Sequence, residues 1–192
     1  GNTLFGVSMS GAGTRGNVVI GNYIGVDATG TAPLKNLVGI VIEYGAQDNR
    51  IGGTAAGEGN VISANNDAGV LIRGSEATGN AVLGNQIGVD ATGRQLLGNA
   101  YGVWILKGAQ GNSIGGPAAG EGNVIAGSAV HAVLIEGSET VGNSVRGNSI
   151  HSNRQGAIDN KDGGNAQLSP PTIASVGPVE GSACPGCTVD IY

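Results

Sequence analysis

Glu43, Arg73 and Glu136 are the residues whose types most suggest chemistry, because acids near a base are what a glycoside hydrolase or polysaccharide lyase needs. Trp104, the one tryptophan, offers an aromatic face of the kind that stacks on a sugar ring. Asp27 and Asp90 stand in identical GVDATG segments, and Glu58 and Glu121 in identical AAGEGN segments. His131 and His151 are the two histidines, and Cys184 and Cys187 the two cysteines. Whether any of these meet depends on the elements that carry them.

The chain is built from repeats. GNYIGVDATG (21–30) returns as GNQIGVDATG (84–93), and IGGTAAGEGNVI (51–62) as IGGPAAGEGNVI (114–125). GVLIRGSEATGN (69–80) returns as AVLIEGSETVGN (132–143), and GIVIEYGAQDN (39–49) as GVWILKGAQGN (102–112). Every pair is offset by 63 residues. Each unit splits into two coils, with starts at Gly6, Gly39, Gly69, Gly102, Ala132 and Gly156. A plain coil, AVLIEGSETVGNSVRGNSI, holds three short strands, Val133 to Glu136, Ser144 to Arg146 and Ser149 to His151, separated by turn residues. Other coils add TAAGEG (54–59) or PAAGEG (117–122) at one corner, or the segments 26–38 and 89–101 at another.

This pattern predicts an all-β fold, a right-handed single-stranded parallel β-helix of about five to six three-strand coils, followed by a short β tail. Alternation assigns the inside. In strand one the inward pairs are Val7/Met9, Ile40/Ile42, Val70/Ile72, Val103/Ile105 and Val133/Ile135. Strand two turns Val19, Ile51, Val82, Ile114 and Val145 inward, and strand three Ile24, Ile62, Ile87, Ile125 and Ile150. Two columns of Asn mark corners: Asn17, Asn49, Asn80, Asn112, Asn143, and Asn22, Asn60, Asn85, Asn123, Asn148. Their amides are expected to form ladders that hold the register between coils.

Two domains follow: the solenoid over 1–165, and a tail over 166–192 that is either the start of a β-sandwich or an added strand along the solenoid. Past Gly156 the pattern fails, with Asp159 expected where an inward Ile should stand. Residues 2–5 (NTLF) read as the third strand of an earlier coil.

Stacking then tests the chemistry. Coils stand about 4.8 Å apart. Glu43 and Glu136 fall three coils apart, about 14 Å, beyond the roughly 5–9.5 Å that two glycosidase carboxylates span. Glu43 and Arg73 are one coil apart and read as a surface ion pair. Asp27 and Asp90 read as caps of their own turns through Thr29 and Thr92, too far apart to share an ion. The two histidines read as surface residues on different corners. The outward column Ser8, Val41, Leu71, Trp104, Leu134 is apolar for an outer face. Trp104 is thus covered by packing, a partner surface, or a sugar platform.

The formal charge is -5, with 9 Lys+Arg against 14 Asp+Glu and no basic run, so nucleic acid is not an expected partner. No apolar stretch is long enough to span a membrane. No cofactor or metal site is expected, and no disulfide scaffold, because 183 residues precede the first cysteine.

The phrases NxIGGTAAGxGNVIS, GVLIxGSxATGN and NxIGxDATG resemble repeats of large secreted or cell-surface bacterial proteins within the right-handed parallel β-helix group that also contains pectate lyases. The resemblance covers residues 2–165 and implies a secreted or cell-surface location. No enzyme motif matches, so it carries over no catalytic residue. In that setting Cys184 and Cys187, which frame Pro-Gly, read as a local disulfide rather than a redox pair. The expected function is an extracellular structural or adhesive module, a spacer or scaffold assembling end to end, and not an enzyme. Its expected partners are copies of itself, adjacent domains of the parent chain, or surface polysaccharide. The alternative is a carbohydrate-active β-helix, a lyase, hydrolase or binding module, with Trp104, Glu43 and Arg73 as its surface.

Overall fold

A computed structural model of the chain describes residues 1–167, 172–176 and 179–182. It is a parallel β-helix, right-handed, with three sheets that run the length of the stack. The long sheet is made of β1 (Phe5–Ser10), β4 (Val38–Glu43), β7 (Ala68–Arg73), β10 (Tyr101–Leu106), β13 (His131–Glu136) and β16 (Gly156–Lys161), each beside the next. A second sheet takes one short strand from each of five coils: β2 (Val18–Val19), β5 (Arg50–Gly52), β8 (Ala81–Leu83), β11 (Ser113–Gly115) and β14 (Ser144–Arg146). The third does likewise with β3 (Tyr23–Ile24), β6 (Val61–Ile62), β9 (Gln86–Ile87), β12 (Val124–Ala126) and β15 (Ser149–His151). Beyond the stack, β17 (Thr172–Val176) and β18 (Val179–Ser182) form an antiparallel hairpin.

Every residue expected to point inward belongs to one continuous core. Ile40, Ile42, Ile51, Ile62, Ile72, Ile87, Ile105, Ile114 and Ile125 are fully buried. In-register pairing places like on like, Ile40 on Val70 and Ile42 on Ile72, Ile51 on Val82, Ile62 on Ile87. β-Branched side chains suit this stacking, since each keeps one rotamer against copies of itself. Val7, Val19, Val145 and Ile150 are only partly buried, because each lies in the first or the fifth coil.

Corners are closed by Asn. In the first ladder Asn49 donates both its backbone N–H and its Nδ2 to Asn80 Oδ1, at 3.1 and 2.9 Å. Asn80 does the same to Asn112, and Asn112 to Asn143. Asn143 passes its N–H to Asn165 Oδ1, 3.0 Å. The second ladder repeats the arrangement from Asn22 through Asn60, Asn85 and Asn123 to Asn148.

Two expectations are corrected by register. Val133 pairs with Ile158, Leu134 with Asp159 and Ile135 with Asn160, so Asp159 faces out and Asn160 takes the inward place. The last coil aligns Gly156 with His131, not with Ala132. A shift of one residue exchanges the two faces of a strand. Residues 2–5 are not a third strand: Asn2 N–H meets Asn36 Oδ1 at 2.8 Å, Val38 N–H meets Leu4 O at 3.0 Å, and Phe5 pairs with Val38. Residues 2–4 form the corner that leads into β1, which begins at Phe5.

Candidate functional site

The outward face of the long sheet brings most of the candidate residues into two columns. One runs Ser8, Val41, Leu71, Trp104, Leu134, Asp159. The other runs Ser10, Glu43, Arg73, Leu106, Glu136, Lys161. Glu43 and Arg73 meet directly, with Nε 2.6 Å and Nη2 2.5 Å from Oε2. Their pairing is as expected, but its setting is not: Glu43 is only 6% exposed. The guanidinium lies 6.0 Å from the ring centre of Tyr44, which flanks the pair. Arg73 offers the more open half of the pair.

Trp104 is half-buried and belongs to a second focus. Its ring lies 4.7 Å from that of Tyr101, centre to centre, tilted by 32°. Its Nε1 donates to Glu136 Oε2 at 3.2 Å, and Lys161 Nζ donates to Glu136 Oε1 at 2.9 Å. The carboxylate beside it raises the Lys161 ammonium above its ordinary value. Glu43 and Arg73 therefore do not share a site with Glu136; two coil steps separate Arg73 from it. Tyr101 and Lys161 were missed from the sequence, although Tyr101 precedes Trp104 by three residues on the same strand.

The two GVDATG loops use their acids on themselves. Asp27 accepts from Thr29 Oγ1 at 2.8 Å and from the N–H groups of Thr31 and Ala32 at 3.1 and 3.2 Å. These donors, Thr29 first, hold its carboxyl below the usual range. At Asp90 burial opposes ionisation, but the Gln95 amide, Thr92 hydroxyl and Arg94 amide together outweigh it and lower the value. The loops also touch across the intervening coil, where Ala91 N–H donates to Gly30 O at 2.9 Å. Val26, Val61, Ala64 and Leu97 bury a small core beneath them.

Glu58 folds back in the same way, accepting from Ala55 N–H and Arg50 Nη1, both at 3.3 Å. The Ala55 amide, then Arg50, lowers its carboxyl. Glu121 accepts from Ala118 N–H at 2.9 Å. Between the two AAGEG loops lies a groove of roughly 490 Å³, walled by Tyr23, Thr54, Ala55, Gln86 and Gly120. It is lined mainly by backbone and small side chains.

His131 and His151 do not meet. His131 Nε2 lies 3.5 Å from Asp159 Oδ2, a pair created by the register of the last coil. His151 Nδ1 lies 3.2 Å from Ser152 Oγ. Among the described residues no three His, Cys, Asp or Glu side chains group as metal ligands. Cys184 and Cys187 lie outside the described residues.

A third Asn column was also missed. Asn36 donates to Asn65 Oδ1 by N–H and Nδ2, at 3.3 and 2.9 Å, and Asn65 to Asn99 Oδ1 at 2.9 and 3.0 Å. Asn2 to Asn65 and Asn36 to Asn99 are both offset by 63, so the signal was present. Insertions of different length before strand one hid it.

In comparisons with known proteins, no family model, no curated protein and no solved structure matches this chain. The resemblance to bacterial surface repeats therefore stands at the level of the parallel β-helix architecture.

Proposed function

We propose that this chain is a structural or adhesive module of a bacterial secreted or cell-surface protein, a rigid spacer that stacks end to end. One observation carries the reading: the Asn ladders are directional and run unbroken through the stack. Each rung gives two donors to the Oδ1 of the rung in the next coil. A stacked copy therefore fits head to tail and not head to head, which is the heterologous geometry that grows rods. Both ends suit such a contact. β1, β2 and β3 are the outermost described strands of their sheets at one end, with Val18, Ile20 and Tyr23 40–50% exposed. At the other, β14, β15 and β16 are the last strands of their sheets among the described residues, with Ile158 47% exposed. Strands at the edge of a sheet recruit further strands.

Sedimentation velocity and electron microscopy over rising concentration test it. Rods whose length grows in steps of one chain are expected. A chain that stays monomeric at millimolar concentration overturns end-to-end assembly.

A second reading, a carbohydrate-active or carbohydrate-binding β-helix of the pectate-lyase-like kind, is favoured by the Tyr101–Trp104 pair beside Glu136. Exposure to a polysaccharide panel tests it: new reducing or unsaturated ends that vanish in Glu136 or Trp104 variants would replace the first reading.

A further inference from the structure

The outer face of the third sheet is a trough with a floor and two walls. Its outward residues run Tyr23, Val61, Gln86, Val124 and Ser149 along the stack. The AAGEG loops enter this sheet and the GVDATG loops leave it, so they stand at its two sides. The groove of roughly 490 Å³ lies between them, with Val61 on its floor, residues 53–57 and Gly120 on one side, and Ala91 on the other. Tyr23 and Gln86 both line it.

Both sets of loops shape it. A Cβ on Gly30 would stand 3.1 Å from the Tyr23 ring, and one on Gly93 would stand 3.6 Å from Gln86 Nε2. Tyr23 and Gln86, equivalent places of the 63-residue repeat, are thus each backed by a GVDATG loop. On the opposite wall a Cβ on Gly120 would stand 3.1 Å from Thr54 O, so the two AAGEG loops stack on each other. The groove is built by the fold itself, as small-ligand sites generally are.

Its chemistry is uncharged. Among the described residues, no charged side chain lines it. Glu58 and Glu121 belong to its wall, but Glu58 turns to Ala55 N–H and Arg50, and Glu121 to Ala118 N–H. Glycine and alanine make the space. The recognising groups are the Tyr23 ring, 48% exposed, the Gln86 amide, Thr54 and the backbone. An ionic ligand would lose water here without gaining a countercharge. A pyranose ring suits the site, because its C–H face stacks on an aromatic ring and its hydroxyls pair with amide and peptide groups. Tyr23 and Gln86 stand two coils apart, about 9.6 Å, the length of a disaccharide.

We propose that this groove binds a short stretch of neutral polysaccharide, with one pyranose on Tyr23 and the next beside Gln86. The site lies on a different sheet from Trp104 and Glu136 and needs no second copy, so its test is independent of both readings above.

NMR titration of the full chain with neutral hexasaccharides of glucose, mannose and xylose tests it, with an oligogalacturonate and an uncharged Ser/Ala hexapeptide as contrasts. At least one neutral sugar is expected to bind. Tyr23→Ala is expected to weaken that binding roughly three- to tenfold, the worth of one aromatic stacking contact. Ala56→Arg, on the exposed wall, is expected to fill the groove and abolish binding. Should Tyr23→Ala lose the β-sheet circular dichroism, Ala56→Arg is read in its place. No neutral sugar bound at millimolar concentration, or equal binding by the folded variants and the parent, overturns the proposal. So does tighter binding of the oligogalacturonate or the peptide. Loss of binding on Trp104→Ala but not on Tyr23→Ala would place the sugar on the long sheet and overturn it too.

Discussion

Arg73 grips Glu43 through a single carboxylate oxygen, Oε2, with Nε at 2.6 Å and Nη2 at 2.5 Å, on a face where Glu43 is almost wholly shielded from water. Such a pair is held by the cost of separating it more than by its net gain. Arg73→Met is expected to cost about 2–3 kcal/mol, because a buried carboxylate loses its partner. The double change Glu43→Gln with Arg73→Met is expected to recover part of that loss. Urea unfolding of the single and double variants measures the coupling, and additive losses would show that the pair contributes nothing jointly.

The ladders make a positional prediction. Asn80 is fully buried; its Oδ1 accepts two bonds from Asn49, and its Nδ2 donates to Asn112 Oδ1 and Ala46 O. Asn80→Ala leaves these groups unsatisfied and is expected to cost about 2–4 kcal/mol. Asn17, at the exposed first coil, uses its side chain to donate to Asn49 Oδ1. Asn17→Ala is expected to cost less than about 1 kcal/mol. Equal costs in thermal unfolding would refute the ladder as a source of register stability.

Acid should weaken the insert loops first. Asp27, Asp90 and Glu58 all have folded-state values lowered by their hydrogen bonds, the Asp90 bonds outweighing its burial. A lowered value stabilises the fold above the unfolded value, about 4, and that contribution fades as pH falls through the folded value. Asp67 works in the opposite sense, since burial raises it and protonation there favours the fold. Three lowered groups against one raised group make the net slope positive below about pH 4. Unfolding midpoints measured from pH 6 to pH 2 are expected to drop, and Asp27→Asn with Asp90→Asn is expected to flatten the drop.

Glycine is required where coils approach closely, and Gly88 is an example. Gly88 has φ +84°, and a Cβ there would stand against the carbonyl oxygen of Ala126 in the neighbouring coil. Gly88→Ala is expected to cost at least about 2 kcal/mol, from the left-handed backbone together with the close approach. Gly111, at φ +62° with nothing near its would-be Cβ, bears only the backbone cost, about 1 kcal/mol. A comparison of Gly88→Ala and Gly111→Ala by calorimetry separates the two effects, and similar losses would refute the role of the close approach.

The repeat made the fold legible because every coil states the same pattern. Ile40, Ile51 and Ile62 each recur as aliphatic residues at fixed places, so inside and outside follow from alternation alone. The chemistry was less legible because side-chain pairing depends on neighbours in other coils. Glu43 with Arg73 was readable, being one coil apart, but its burial was not. The Tyr101–Trp104–Glu136–Lys161 group combines three strands and escaped notice.

By itself, then, the sequence determined the coil, its 63-residue doubling, its aliphatic columns and two of its three Asn ladders. Periodic burial leaves a periodic trace in the residues that carry it. Only the tertiary structure decided the last coil, where a one-residue difference in alignment sends Asp159 outward to His131 and Asn160 inward. It alone showed that the apolar outer column around Trp104 is buried. Register is set by hydrogen bonds between coils, and burial by neighbours in other coils, and neither leaves a mark within the strand it acts on.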